Sequence, residues 1–264
     1  MNLELQDKTA VVSGSTAGIG LAIAMALAAE GARVVINGRT EARVTAALGK
    51  IRQRVPKAEA RGVAADLGTS AGVDSFLQQV TAADVLVNNL GIFEPKSFLE
   101  IPDADWVRFF EVNVLSGVRL ARAYLPRMLK KNWGRIIFIS SESAQQIPAE
   151  MIHYGMTKTA QIAVARGLAE SVAGSGVTVN SILAGPTASE GVGAFVERMA
   201  KEQDVSKAEL EKQFFATVRP SSLLKRFETP EEVAAVVAFV ASGQSIAING
   251  AAVRAEGGVI RSIL

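Results

Sequence analysis

The 264-residue chain is 49% hydrophobic and 20% charged, with a formal net charge of +2 and no cysteine. Those figures exclude intrinsic disorder, a disulfide framework and cysteine metal sites, and the weak charge balance gives no reason to expect nucleic acid as a partner. Residues 1–8 lack the basic-then-apolar layout of a secretion leader, and the longest apolar run near the end, Val233–Ala241, is too short to cross a bilayer, so the expectation is a cytoplasmic protein with no membrane partner.

In chain order, Thr9–Val12 reads as a strand, and a glycine-rich stretch leads from it into a helical pattern over Ile19–Glu30. Arg33–Ile36 is the next strand, then helix over Thr40–Arg54 and Ala71–Gln79. Strand Asp84–Val87, a long helix Asp103–Lys130, strand Arg135–Ile139, helix His153–Ala173 and strand Val177–Ile182 complete the pattern. The strands are short, rich in Val and Ile, and mostly apolar on both faces, as in a parallel sheet covered on both sides. Alternating β and α elements predict a Rossmann-type doubly wound α/β fold, in one domain spanning 1–264. After Ile182 the rhythm breaks for about forty residues, and a segment of that size suits a substrate lid at about 186–224. Val192, Phe195, Val196 and Met199 there share a helix face, which either packs on the domain or closes over a substrate.

The first loop, Ser13-Gly14-Ser15-Thr16-Ala17-Gly18-Ile19-Gly20, follows a strand and opens a helix. That context suits a dinucleotide phosphate, because glycines admit a tight turn and close approach to the backbone while the new helix offers free N–H groups. Ser15 and Thr16 carry hydroxyls that would add donors. A flexible connection with nothing bound is the plainer reading, and the loop alone does not choose. Tyr154 and Lys158 lie four residues apart on a predicted helix and share a face. A free tyrosine has a pKa near 10, and moving it by roughly three pH units takes about 4 kcal/mol, which a neighbouring ammonium and a cationic cofactor ring would supply. Tyr154 then acts as general acid or base, and the hydroxyl of Ser141, after strand Arg135–Ile139, bonds the oxygen where charge develops. Taken singly, each has a bland reading: an exposed pair, a turn residue and, for Asn113, a helix kink. Ser13–Thr16, Gly38–Arg39, Asn88–Gly91, Ser141 and Gly185 all follow carboxyl ends of predicted strands, the edge where open parallel sheets bind ligands.

The G-x-x-x-G-x-G loop, Asn88-Asn89-Leu90-Gly91, Asn113, Ser141, and Tyr154 with Lys158 resemble, in order and spacing, the motifs of the short-chain dehydrogenase/reductase family. The resemblance spans about residues 8 to 258 and is greatest to 3-oxoacyl reductase-like members. It implies a catalytic set of Asn113, Ser141, Tyr154 and Lys158, with a water at the Asn113 carbonyl linking Lys158 to solvent. It implies a nicotinamide cofactor held by Gly14, Ser15, Thr16, Gly18, Ile19, Gly20, Arg39, Asp66, Leu67, Asn89, Gly91, Tyr154, Lys158, Gly185, Thr187 and Ser189. Gly38 stands where NAD-preferring members carry an acid, and the guanidinium of Arg39 suits a 2′-phosphate, so NADP(H) is preferred, with NAD(H) as the alternative. Ala17 departs from the basic residue of many NADP(H) users. Ser13, Leu90, Ala184 and Ser189 depart from threonine, alanine, proline and threonine in the family's pattern.

The expected activity is hydride transfer to a carbonyl, or from a secondary alcohol, of a small-molecule substrate. A non-catalytic dinucleotide sensor is the alternative of another class. Glu142, Gln145, Gln146, Glu150, Met151 and His153 flank the catalytic pair and read equally as pocket lining or loop surface. His153 is the one histidine, so no multi-histidine metal site is expected. Family members form dimers or tetramers through their long helices, and the same homo-oligomer is expected here by analogy.

Overall fold

A computed structural model describes residues 1–190, Gly193, Ala200 and 205–263. The helix face of Val192, Phe195, Val196 and Met199 lies outside the described residues. The described strands are β1 (Thr9–Val12), β2 (Arg33–Gly38), β3 (Ala60–Ala64), β4 (Val85–Asn88), β5 (Gly134–Ser141), β6 (Val177–Ala184) and β7 (Ala252–Ala255). They form one sheet of order β3-β2-β1-β4-β5-β6-β7, parallel throughout. The order reverses between β1 and β4, the crevice where doubly wound sheets bind ligands.

The helices are α1 (Gly18–Ala29), α2 (Glu41–Arg54), α3 (Ser70–Gln79), α4 (Asp103–Phe110), α5 (Ser116–Lys131), α6 (Ile152–Ser171), α7 (Lys207–Thr217) and α8 (Pro230–Val240). Strand residues alternate between two cores. Val12, Ile36, Val87 and Ile139 meet Ile23, Leu27 and Val237 on one face, whereas Val11, Val35, Leu86 and Phe138 meet Phe76, Leu120 and Tyr124 on the other. Both faces are therefore apolar, as the unalternating strand sequences require.

Two strands are absent from the sequence expectation, β3 and β7, and both are sheet edges. Neither is β-branched enough to stand out. β3 contains Gly62 because a Cβ there would lie 2.1 Å from Cγ1 of Val44 on α2. The helix expected over Asp103–Lys130 is broken: α4 and α5 are joined by a π-helical turn, Glu111–Leu115. Within that turn the Asn113 carbonyl accepts from the Gln161 side chain, and such turns recur at functional sites.

Candidate active site

The glycine loop joins β1 to α1 and is shaped by backbone contacts. Gly14 and Gly18 have φ of +59° and +53°, where a side chain would be strained. Gly20 has no such torsion but no room either, since a Cβ would lie 2.4 Å from Asn89 Nδ2 and 2.6 Å from the Gly14 carbonyl. α1 starts at Gly18 behind Ala17, which offers no capping side chain, so its first N–H groups suit an anion. Asn89 ties the loop down by donating to the carbonyls of Ser13 and Gly14 at 3.0 and 2.9 Å. Ser189 closes it from the other side, its Cβ 3.1 Å from where a Gly18 Cβ would stand. Ser15 departs from expectation. Its buried hydroxyl donates to Val12 and accepts from the Asn37 amide, stitching β1 to β2 instead of facing the loop mouth.

At the end of β2, Gly38 carries no carboxylate, a Cβ there would meet the Thr16 side chain at 2.4 Å, and the next residue, Arg39, is exposed. Asp66 is exposed with Leu67 buried beside it, and Oδ1 of Asp66 accepts from the Gly68 amide. Across the crevice, the Gly185 amide donates to Ala255 and to the Glu228 carboxylate. The Thr187 hydroxyl donates to the Gly185 carbonyl, bracing that loop. Burial, with Glu232, Glu256 and Glu142 nearby, pushes Glu228 up to about 7 against the opposing effect of the Gly185 amide.

The structure brings Asn113, Ser141, Tyr154 and Lys158 together. Asn113 is buried in the π-turn. It accepts from the Ile92 amide at 2.8 Å and donates to the Ile92 carbonyl and to Thr157 Oγ1, both at 3.0 Å. Thr157 in turn donates to the Tyr154 carbonyl. Lys158 Nζ donates to the Ile139 carbonyl at 2.8 Å and to Gln161 Oε1 at 3.3 Å, and lies 5.5 Å from the centre of the Tyr154 ring. A Cβ on Gly91 would sit 3.5 Å from that ammonium, so the loop after β4 covers it.

Burial brings Lys158 down to about 8. The expected lowering of Tyr154 by Lys158 does not occur among these side chains. Burial and then the Glu142 charge push the phenol up, against weaker effects of the Ser141 hydrogen bond and of Arg219. The ammonium sits over the ring and gives its hydrogen bonds to Ile139 and Gln161.

Three residues here escape the sequence expectation. Gln161, one turn beyond Lys158 and buried, donates to the Asn113 carbonyl at 2.6 Å, the acceptor where the resemblance implies a water. Arg219, after α7, is buried and gives its Nε to Oε1 of Glu142 at 2.8 Å. Glu228 is the third. A polar residue three places after a lysine on a buried helix face was the available signal for Gln161, whereas nothing local marks the other two. Of the other flanking residues, Gln145, Gln146 and Glu150 are exposed. His153 is no pocket residue, being fully buried with its ring 4.1 Å from Phe109 and 6.0 Å from Trp106.

Comparison with known proteins agrees with this geometry. The short chain dehydrogenase family model matches residues 8–200. The chain belongs to the short-chain dehydrogenase family. It is thus an oxidoreductase. An uncharacterized oxidoreductase of Bacillus subtilis (strain 168), YvaG, is 48% identical over 263 residues, covering 100% of both chains. A 3-oxoacyl-[acyl-carrier-protein] reductase of Aquifex aeolicus (strain VF5) is 32% identical, covering 98% of this short-chain dehydrogenase and 100% of the relative. Among solved structures, L-sorbose reductase from Gluconobacter frateurii, complexed with NADPH and L-sorbose, superposes with a TM-score of 0.94 at 30% identity over 100% of both chains. Among the described residues no helix is long and apolar enough to cross a membrane, and no cluster of His, Cys, Asp or Glu fits a metal ion.

Proposed function

We propose that this short-chain dehydrogenase is an NADP(H)-dependent carbonyl reductase in which Tyr154 gives its proton to the substrate oxygen. The observation that carries the reading is the convergence of Ser141, Tyr154 and Lys158, from β5 and α6, with Lys158 against Gly91 of the loop whose Leu90 packs on Gly14 of the glycine loop. The cradle fits a pyrophosphate, with Gly14, Gly18, Gly20 and the start of α1 around it. Arg39, beside a Gly38 that carries no carboxylate, suits a 2′-phosphate, and the NADPH bound to L-sorbose reductase supports the same preference.

NADPH, when bound, supplies the hydride. The protein's own part is to place and charge the carbonyl oxygen. Tyr154 holds its phenolic proton at neutral pH, because burial and Glu142 disfavour the phenolate, so it meets a carbonyl as an acid. Ser141 stands beside it to bond the oxygen as negative charge grows there. Lys158, buried beneath the ring, makes the phenolate less costly once the proton has left. Oxidation of an alcohol is the same chemistry reversed, with Tyr154 as base.

The test is Tyr154→Phe, titrated with NADPH by fluorescence and assayed with carbonyl substrates. NADPH binding is expected to persist while kcat falls by roughly 10²–10⁴-fold, the range for losing a positioned general acid. A kcat near that of the unmodified enzyme would overturn the assignment. Tighter binding of NADH than of NADPH would overturn the cofactor preference.

A further inference from the structure

We propose that Glu142, held by Arg219, recognises a hydroxyl group next to the reacting carbonyl, so that the substrates of this enzyme are hydroxylated ketones. The inference rests on the carbonyl reductase reading above and specifies its substrate class.

Glu142 follows Ser141 directly and is 3% exposed. Its Oε2 accepts from the Ser141 hydroxyl and from both the amide and the hydroxyl of Ser143, while Oε1 accepts from Arg219 Nε at 2.8 Å. Arg219 also reaches toward Glu150 at 3.6 Å and donates to the Val218 carbonyl. A buried ion pair is costly to assemble, and its energy alone is a weak reason for one. Its position supplies a better reason. The hydroxyl that Glu142 holds is the one that must turn to the substrate oxygen. When Ser141 turns, Oε2 keeps the amide and hydroxyl of Ser143 and Oε1 keeps Arg219, and one of the carboxylate's four acceptor positions opens inside a buried site.

A substrate hydroxyl on the carbon beside the carbonyl stands three bonds from the oxygen that Ser141 has turned to, and supplies that donor in its place. A plain ketone restores nothing. Glu142 and Arg219 cancel each other's charge, so neither a substrate carboxylate nor an ammonium finds a net counter-charge here. The neutral, strongly polar hydroxyl is the group that suits both charges, accepting from the guanidinium while donating to the carboxylate. Sites built to hydrogen-bond a hydroxyl discriminate strongly against the analogue lacking it, because their own groups are then left unpaired.

The experiment compares kcat/KM for 1-hydroxy-2-butanone and 2-butanone, a pair differing by that one hydroxyl, with NADPH as reductant. The unmodified enzyme is expected to prefer the hydroxyketone by at least tenfold. Glu142→Gln, combined with Arg219→Gln so that no unpaired charge stays buried, is expected to bring the ratio within threefold of unity, with folding checked by NADPH binding. A purely structural role for the pair would lower both rates and keep the ratio, which overturns the proposal. So does an unmodified enzyme that reduces both ketones without preferring the hydroxyketone, and this result needs no variant to fold. Reduction of neither ketone by an enzyme that binds NADPH and reduces other carbonyls would overturn this inference alone, whereas failure on ketones, aldehydes and 3-oxoacyl thioesters alike would overturn the carbonyl reductase reading as well.

Discussion

The β1–β2 half of the crevice and the β5–β6 half are built on opposite principles. Around β1 and β2 the site is made of backbone. Its buried polar side chains, Ser13, Ser15 and Asn37, are neutral and direct their hydrogen bonds at peptide groups. Around β5 and β6 the site is made of ionisable side chains taken out of water: Glu142, Lys158, Arg219 and Glu228 are all buried. Under the proposed function, the first half would hold NADPH by shape and can be packed as tightly as any core. The second must hold charges where a reaction develops charge, and it carries the desolvation cost of doing so. Substitutions should therefore separate the halves. In the first, change destabilises and abolishes binding together, whereas in the second it can abolish turnover while the fold gains stability.

The largest effect is expected at Gly20. Alanine there places its methyl group 2.4 Å from Asn89 Nδ2, 2.6 Å from the Gly14 carbonyl and 3.0 Å from the Ser15 Cα, two of which are backbone atoms that cannot swing away. Overpacking of this kind costs about 1–3 kcal/mol. The loop would have to open, so NADPH affinity should fall by roughly 100-fold, equivalent to about 2.8 kcal/mol. Thermal melting and fluorescence titration of Gly20→Ala measure both. A variant that melted lower yet bound NADPH normally would break the link between shape and binding in this half.

The same division governs what the sequence disclosed. Glycines at Gly14, Gly18 and Gly20 are visible in a sequence because the constraint is local: two positive φ angles and one crowded Cβ, all within seven residues. Tyr154 and Lys158 are visible because a helix puts residues four apart on one face. The electrostatics of the other half come from contacts across long stretches of chain. Arg219 meets Glu142 77 residues away, and Gln161 meets the Asn113 carbonyl 48 residues away, through a π-turn that no helical periodicity announces. The direction of the Tyr154 shift among the protein's own groups is set by such contacts too. Spacing brings Lys158 near the ring but does not tell where its protons point, nor that Glu142 lies beside the phenol. β3 and β7 escaped because they are short and each carries a single β-branched residue, Val63 and Val253, among Ala, Gly and Arg.

Lys158 tests the other side of the comparison. Burial brings it from 10.5 to about 8, a difference worth about 3 kcal/mol between its charged and neutral forms. Between pH 8 and 10.5 the unfolded chain holds a proton here that the folded chain has released, so stability rises with pH through that window, and below pH 8 the full penalty is present. Lys158→Met removes the penalty but also the bonds to Ile139 and Gln161, each worth about 1 kcal/mol. The expected result at pH 7 is an inactive enzyme with a higher Tm, by a few degrees for a net gain near 1 kcal/mol. The gain should vanish above pH 10.5. Lower stability at pH 7 would mean that Lys158 is held by its bonds more strongly than burial opposes it.

Gln161 offers the finest adjustment. Its Oε1 accepts from Lys158 at 3.3 Å and its Nε2 donates to the Asn113 carbonyl at 2.6 Å, so it fixes the ammonium against the π-turn without adding charge. If charged Lys158 assists Tyr154, activity should decline above pH 8 as that lysine deprotonates. Gln161→Glu puts a carboxylate at the same place, and an opposite charge at hydrogen-bond distance favours the ammonium, so the alkaline limb of the kcat/KM profile should move up by about one pH unit. Gln161→Leu removes the acceptor and dries the site further, which moves the limb down. A role in packing alone would leave all three profiles superimposed while changing only their height. The two displacements, opposite in sign, would show that this half of the crevice is set by the charge state of one buried lysine, as the other half is set by the room left for a methyl group.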